Sequence, residues 1–137
     1  MKGSNKVIAE LNGLLAWELA AMDQYFIHAR MYDDWGLQKL FERIDHEFDD
    51  EKGHAAALIE RMLFLEGTPD MTTRPPLQVG KTVPEMLQND LNVELAVDQA
   101  LKDAIKVCES EQDYHSREIL EKLLEDTEVD HTWWLEK

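Results

Sequence analysis

The sequence predicts an all-α protein, an antiparallel four-helix bundle made of two helical hairpins joined by one long crossover. Three observations carry this expectation. Apolar residues recur at helical spacing in four stretches, no segment alternates with the period of two that a strand requires, and two short breaks flank one long one.

The four stretches are residues 5–33, 37–66, 83–109 and 114–137. Trp35-Gly36 makes the first break, residues 67–80 with Pro69, Pro75 and Pro76 the second, and residues 110–113 the third. Thr82-Val83-Pro84-Glu85 reads as a capping box with proline in the first turn, which fixes the start of the third helix. Short breaks force antiparallel neighbours, so the first and third breaks close hairpins. The middle one has the reach to run the length of the bundle. A helix over residues 5–33 is about 43 Å long at 1.5 Å per residue, and about 15 extended residues span on the order of 50 Å.

Composition narrows the class further. A chain of 137 residues, 44% hydrophobic and 31% charged, fits one domain over residues 1–137. The net charge of -15, from 29 acidic against 14 basic residues, repels phosphate backbones and attracts cations, which argues against nucleic acid as a partner. Cys108 is the only cysteine, so neither an intrachain disulfide nor a thiolate metal cluster can form, and it reads as a core thiol. No apolar run approaches the length of a membrane span, and the segment behind Lys2 and Lys6 is no signal peptide. The expectation is a cytoplasmic protein with no membrane partner.

Carboxylates occupy places on the apolar stripes where leucine belongs. In the second helix the stripe Leu37, Phe41, Ile44, Phe48, Glu51, Ala55, Leu58, Met62 and Leu65 contains Glu51, and His54 shares its face one turn on. In the first helix Glu18 lies between Leu14 or Leu15 and Met22 and Tyr25. The third carries Glu94 on the stripe Val83, Leu87, Asp90, Glu94, Val97 and Leu101. The fourth has a face of Leu120, Leu124, Glu128, His131 and Leu135, so Glu128-Val129-Asp130-His131 repeats the Glu-x-x-His of residues 51–54.

An ionised carboxylate buried alone costs several kcal/mol, and four in one core need protons, basic residues or metal. Basic residues are scarce on these stripes. Two divalent ions supply four positive charges against four glutamates, with two neutral imidazoles completing the donor set. One Glu from each of two helices plus a Glu-x-x-His from each of the other two is the pattern of di-iron carboxylate bundles. Oxygen-rich donors with few imidazoles suit iron or manganese. A solvated or salt-bridged face is the bland alternative for any one of these carboxylates, and their joint placement argues against it.

At these residues the chain resembles bacterioferritin, a ferritin-like family, along its whole length. Gln24-Tyr25-Phe26, His28-Ala29-Arg30-Met31, Asp34-Trp35-Gly36-Leu37, Leu63-Phe64-Leu65-Glu66-Gly67, Asp113-Tyr114 and Ser116-Arg117 all carry the likeness. The resemblance implies a ferroxidase that oxidises ferrous iron with dioxygen at an intrasubunit di-iron centre and stores ferric mineral in a hollow homo-oligomer of 24 subunits. It makes Glu18, Glu51, His54, Glu94, Glu128 and His131 the metal ligands, with Glu51 and Glu128 bridging. It further marks Tyr25 as a candidate electron donor, and His46 with Asp50 as a candidate iron site on the inner surface. Trp133 and Trp134 read as packing residues.

Three departures qualify the likeness. Lys52 stands where the family has the methionine that ligates haem b at a dimer interface; lysine has no thioether, which weighs against the haem. The family's short fifth helix is absent from this chain, and one extra residue precedes Glu128. Two other functions stay open at this point: a haem-free partner subunit in a mixed bacterioferritin shell, and a small di-metal peroxide-scavenging oxidoreductase.

Overall fold

The computed structural model describes residues 1–136. Lys137, the last residue of the expected fourth helix, lies outside the described residues. The described chain is helical throughout apart from its connections, in the order α1 (Asn5–Asp34), α2 (Gln38–Phe64), α3 (Val83–Ser110), α4 (Tyr114–Asp126), a π-helical segment (Thr127–Thr132) and α5 (Trp133–Glu136).

Three helices, α1, α3 and α4, start where a side chain satisfies free backbone donors, whereas α2 starts at Leu37 without a side-chain cap. Ser4 accepts from the amides of Lys6 and Val7, Thr82 from Glu85, and Asp113 from Ser116. The hairpin breaks follow from how the helices end. Leu37 N–H reaches back to Tyr32 O at 2.9 Å and Asp113 N–H to Cys108 O at 2.8 Å, a closure that needs a left-handed residue in between. Gly36 supplies it at φ +75° after α1, and Gln112 adopts it at φ +60° after α3.

The crossover climbs along α1. Asn12 donates to Thr68 O and accepts from Asp70 N–H, Asp23 meets Arg74 at 2.8 Å, Gln24 accepts from Gln78 N–H, and His28 accepts from Gly80 N–H. From Asn12 to His28 is about 24 Å of helix, and that climb lets α3 start beside the far end of α1 and run antiparallel to it. The pairs Ser4 with Glu111, Tyr25 with Glu94 and His28 with Asp90 fix that antiparallel register.

The core has two layers. Leu11, Leu14, Leu15, Leu58, Met62, Leu101, Cys108 and Leu120 are buried together in the apolar one. Further along the bundle, Glu18, Tyr25, Glu47, Glu51, His54, Glu94 and His131 are buried among the same helices. This polar layer positions the chemistry. No described helix is long and apolar enough to cross a membrane.

The fourth helix departs from expectation at its end. It keeps right-handed helical angles throughout, at Thr127 and at Trp133, but the middle segment is π-helical, and Trp133 N–H donates to Glu128 O five residues back. A π turn holds one residue more than an α turn. The extra residue that the resemblance places ahead of Glu128 would be accommodated by such a turn, and α-helical geometry resumes at Trp133.

Candidate metal centre

Glu51 sits at the centre of the polar layer with no solvent exposure. His131 Nδ1 lies 2.8 Å from its Oε1, and His54 Nδ1 lies 3.6 Å from its Oε2. Glu18, from α1, meets His54 Nδ1 at 2.8 Å, and Glu94, from α3, meets His131 Nδ1 at 3.3 Å. Among the described residues three groups of three ligand atoms lie within 4.8 Å of one another: Glu18, Glu51 and His54; Glu51, Glu94 and His131; and, on the other side of the His131 ring, Glu47, Asp50 and His131. The first two form the centre of the polar layer and share Glu51. The two imidazoles stack with centroids 5.7 Å apart, as rings do when they flank adjacent positions.

The unsatisfied oxygens test whether cations fit. Glu18 Oε1, both oxygens of Glu51 and Glu94 Oε2 are fully buried without a hydrogen-bond partner. Groups of this kind are normally satisfied, since each costs about 1–3 kcal/mol if left bare. Here they converge with two imidazole nitrogens on a shared region, and carboxylate oxygen with imidazole is the donor set of iron or manganese. The residues fit a pair of such ions.

Electrostatics agree. Burial, then the charge of Glu51, pushes the Glu18 carboxyl up to about 8. Burial alone would lower His54, but hydrogen bonds to the carboxylates of Glu18 and Glu51 outweigh it and raise the ring to about 11. For His131 burial again works downward, and Glu47, Glu51 and Glu94 overcome it, so its pKa is raised as well. Without metal, protons balance these carboxylates; with metal, the cations replace them.

Tyr25 is fully buried, and its hydroxyl donates to Glu94 Oε1 at 2.5 Å. Burial first, and Glu94 second, raise its pKa far above the usual phenol range. His46 and Asp50 lie 3.4 Å apart on the outer side of α2, and Asp50 also stands 3.4 Å from His131 Nε2. Lys52 is exposed on the same helix.

The structure does not bring Glu128 into either group. Its side chain is 44% exposed and points to Lys102 at 3.4 Å, beside Asp98, which Lys102 also holds at 2.9 Å. The π turn is the physical reason. In an α-helix a residue three before His131 lies on its face, but the wider turn rotates Glu128 outward and leaves Thr127 and His131 as the buried pair. Asp126 comes inward instead, with Oδ2 at 2.5 Å from His54 Nε2.

Two neighbours of the site escaped the sequence reading. Glu47 is 1% exposed and lies 2.8 Å from His131 Nε2. It stands four residues before Glu51, a spacing that signals a shared helical face. Asp126 gives no such signal, because five residues before a histidine is the same face only in a π turn.

The family described as ferritin-like domain matches residues 8–137 of the chain. The chain is similar to a bacterial ferritin of Synechocystis sp., 63% identical over all of this chain and 88% of that protein. It is similar to a bacterial ferritin of Pseudomonas aeruginosa, 54% identical over all of this chain and 88% of that protein. A bacterioferritin of Brucella melitensis is 39% identical over 93% of this chain and 80% of its own length.

Proposed function

The chain belongs to the bacterioferritin family of ferritin-like proteins, and on that premise we propose how its buried cluster serves an iron-oxidising storage protein. Glu18, Glu51 and His54 hold one iron ion, Glu51, Glu94 and His131 hold the other, and Glu51 bridges them. The observation that carries this is Glu51, wholly buried between His131 at 2.8 Å and His54 at 3.6 Å, with neither oxygen in a hydrogen bond of good geometry.

Ferrous iron is the substrate, and each ion gives up one electron to dioxygen. The residues do the rest. The carboxylates neutralise the incoming charge, the buried layer limits water at the pair, and the stacked imidazoles fix the positions on either side of Glu51. Tyr25 is placed as an electron donor, with Glu94 Oε1 ready to accept its hydroxyl proton. Asp50, in reach of both His131 and the exposed His46, connects the pair to an inner-surface iron site.

Residues 1–137 act as one such domain in a cytoplasmic hollow shell, expected to contain 24 subunits, where ferric product accumulates as mineral. Lys52 leaves this subunit without the bis-methionine haem, and favours, as a second reading, a shell shared with a methionine-bearing subunit. A particle of only a few subunits would instead support the peroxide-scavenging alternative.

The test is oxygen consumption on adding ferrous iron. Glu51→Ala removes the shared ligand and should slow the fast phase about 100-fold or more, because both metal positions lose a donor. Equal rates for variant and parent would remove this function from the buried cluster.

A further inference from the structure

Both histidines of the centre are engaged at both ring nitrogens. His131 turns Nδ1 to Glu51 and Glu94, and Nε2 to Glu47 at 2.8 Å and Asp50 at 3.4 Å, both carboxylates of α2. His54 turns Nδ1 to Glu18 and Glu51, and its Nε2 meets a single carboxylate, Asp126 Oδ2 at 2.5 Å. That carboxylate comes from the fourth helix, at the residue directly before the π segment.

The two nitrogens of an imidazole point in divergent directions. A cation held by Nδ1, Glu18 and Glu51 therefore cannot meet Asp126 on the same side of the ring. Asp126 stands behind His54, where it sets the state of the ring. A ligating imidazole is neutral, with its lone pair toward the metal and its proton on the other nitrogen, and a carboxylate at that other nitrogen selects this tautomer and fixes the ring angle.

We infer that Asp126 is the positioning residue of His54, accepting a hydrogen bond from Nε2–H so that Nδ1 faces the metal shared with Glu18 and Glu51. This rests on the metal centre proposed above. It assigns the π turn a purpose: the wider turn carries Glu128 out to Lys102 and leaves the fourth helix with a carboxylate behind the first metal position. His54 depends on this one contact, since among the described residues its ring has no second carboxylate at Nε2 comparable to the pair behind His131.

Metal-free protein titrated with Co(II), followed by the visible absorption of the bound ion, tests the assignment. The parent should take up two Co(II) per chain. Asp126→Ala should weaken one of the two about 10- to 100-fold and leave the other within about twofold, the usual loss when the partner behind a ligating histidine is removed. Asp126→Asn keeps the side-chain shape and should also lose affinity, because its amide can present N–H to Nε2 and leave the ring proton on Nδ1. Asp126 is a third exposed, so both variants should fold, and helical circular dichroism checks that they do.

A double variant separates positioning from a general effect. In a His54→Ala background, adding Asp126→Ala should change Co(II) affinity by less than about twofold, because the residue acts through the ring. Unchanged Co(II) binding in folded Asp126→Ala, equal weakening of both ions, or full additivity in the double variant would each overturn the inference while leaving the metal centre standing. A parent that binds no Co(II) would overturn the metal centre, and the inference with it.

Discussion

Glu51 and Glu128 are the two carboxylates of the Glu-x-x-His pairs, and the helix under each decides its fate. Residues 51–54 lie in regular α-helix, so Glu51 and His54 share a face and are both buried. Residues 128–131 lie in the π turn, so His131 is buried while Glu128 rests against Lys102 at the surface. Glu128→Gln should therefore change the rate of ferrous iron oxidation by less than about threefold, a small fraction of the loss expected for Glu51→Ala. Stopped-flow oxidation of the two variants side by side decides it. A loss for Glu128→Gln as large as for Glu51→Ala would mean that the π turn converts when metal binds and returns Glu128 to the centre.

The same pair shows what could be read from residues alone. Glu18, Glu51, His54, Glu94 and His131 were legible because a polar residue on an apolar helical stripe has to be buried, and the structure gathers them within two overlapping groups. Glu128 was assigned by α-helical spacing, which the π turn over Thr127–Thr132 departs from locally. Whether a helix takes a π turn, and which side chain that rotates inward, depends on the packing of the helix against its neighbours, which spacing alone does not carry.

At the scale of the elements, the boundaries followed local chemistry closely. Ser4, Thr82 and Asp113 start their helices, and the long crossover takes its path from contacts to α1 that no periodicity announces: Asn12, Asp23, Gln24 and His28 are polar residues of one helix meeting residues 68–80 in turn. The second hairpin is tied to the first by Arg61, which reaches Ser116 at 2.8 Å and Asp113 at 3.1 Å. Burial would raise the Asp113 carboxyl, but hydrogen bonds from Ser116 and Arg61 outweigh it and hold it below the ordinary 3.8.

A carboxylate with a lower pKa folded than unfolded stabilises the fold above its ordinary value, and that contribution fades as pH falls through the lowered one. Asp113→Asn keeps a capping side chain and removes the charge. It should cost about 1 kcal/mol at pH 7, and the difference from the parent should shrink below about pH 4. Urea unfolding at the two pH values measures it, and a gap that stays constant or widens in acid would show that the Arg61–Asp113 pair is not the source.

For the whole molecule, the apolar layer holds the bundle and the polar layer gathers the carboxylates and histidines proposed to bind metal. The charge of -15 was legible as a preference for cations, and its inward part is now specific: Glu18, Glu47, Glu51 and Glu94 are all buried beside two histidines. The surface share of that charge favours the approach of ferrous ions and is screened by salt, whereas the buried share acts at contact range. Both ligand groups that share Glu51 come from one chain, so the proposed pair of metal positions needs no residue of a second copy.

The most direct measurement is the stoichiometry of the fast phase when metal-free protein is mixed with increasing ferrous iron in air. The two ligand groups that share Glu51 predict that its amplitude saturates at about two iron ions per subunit, with slower oxidation beyond that. A fast phase that saturates at one ion per subunit, or that never saturates, would contradict a two-metal centre built by Glu18, Glu51, His54, Glu94 and His131.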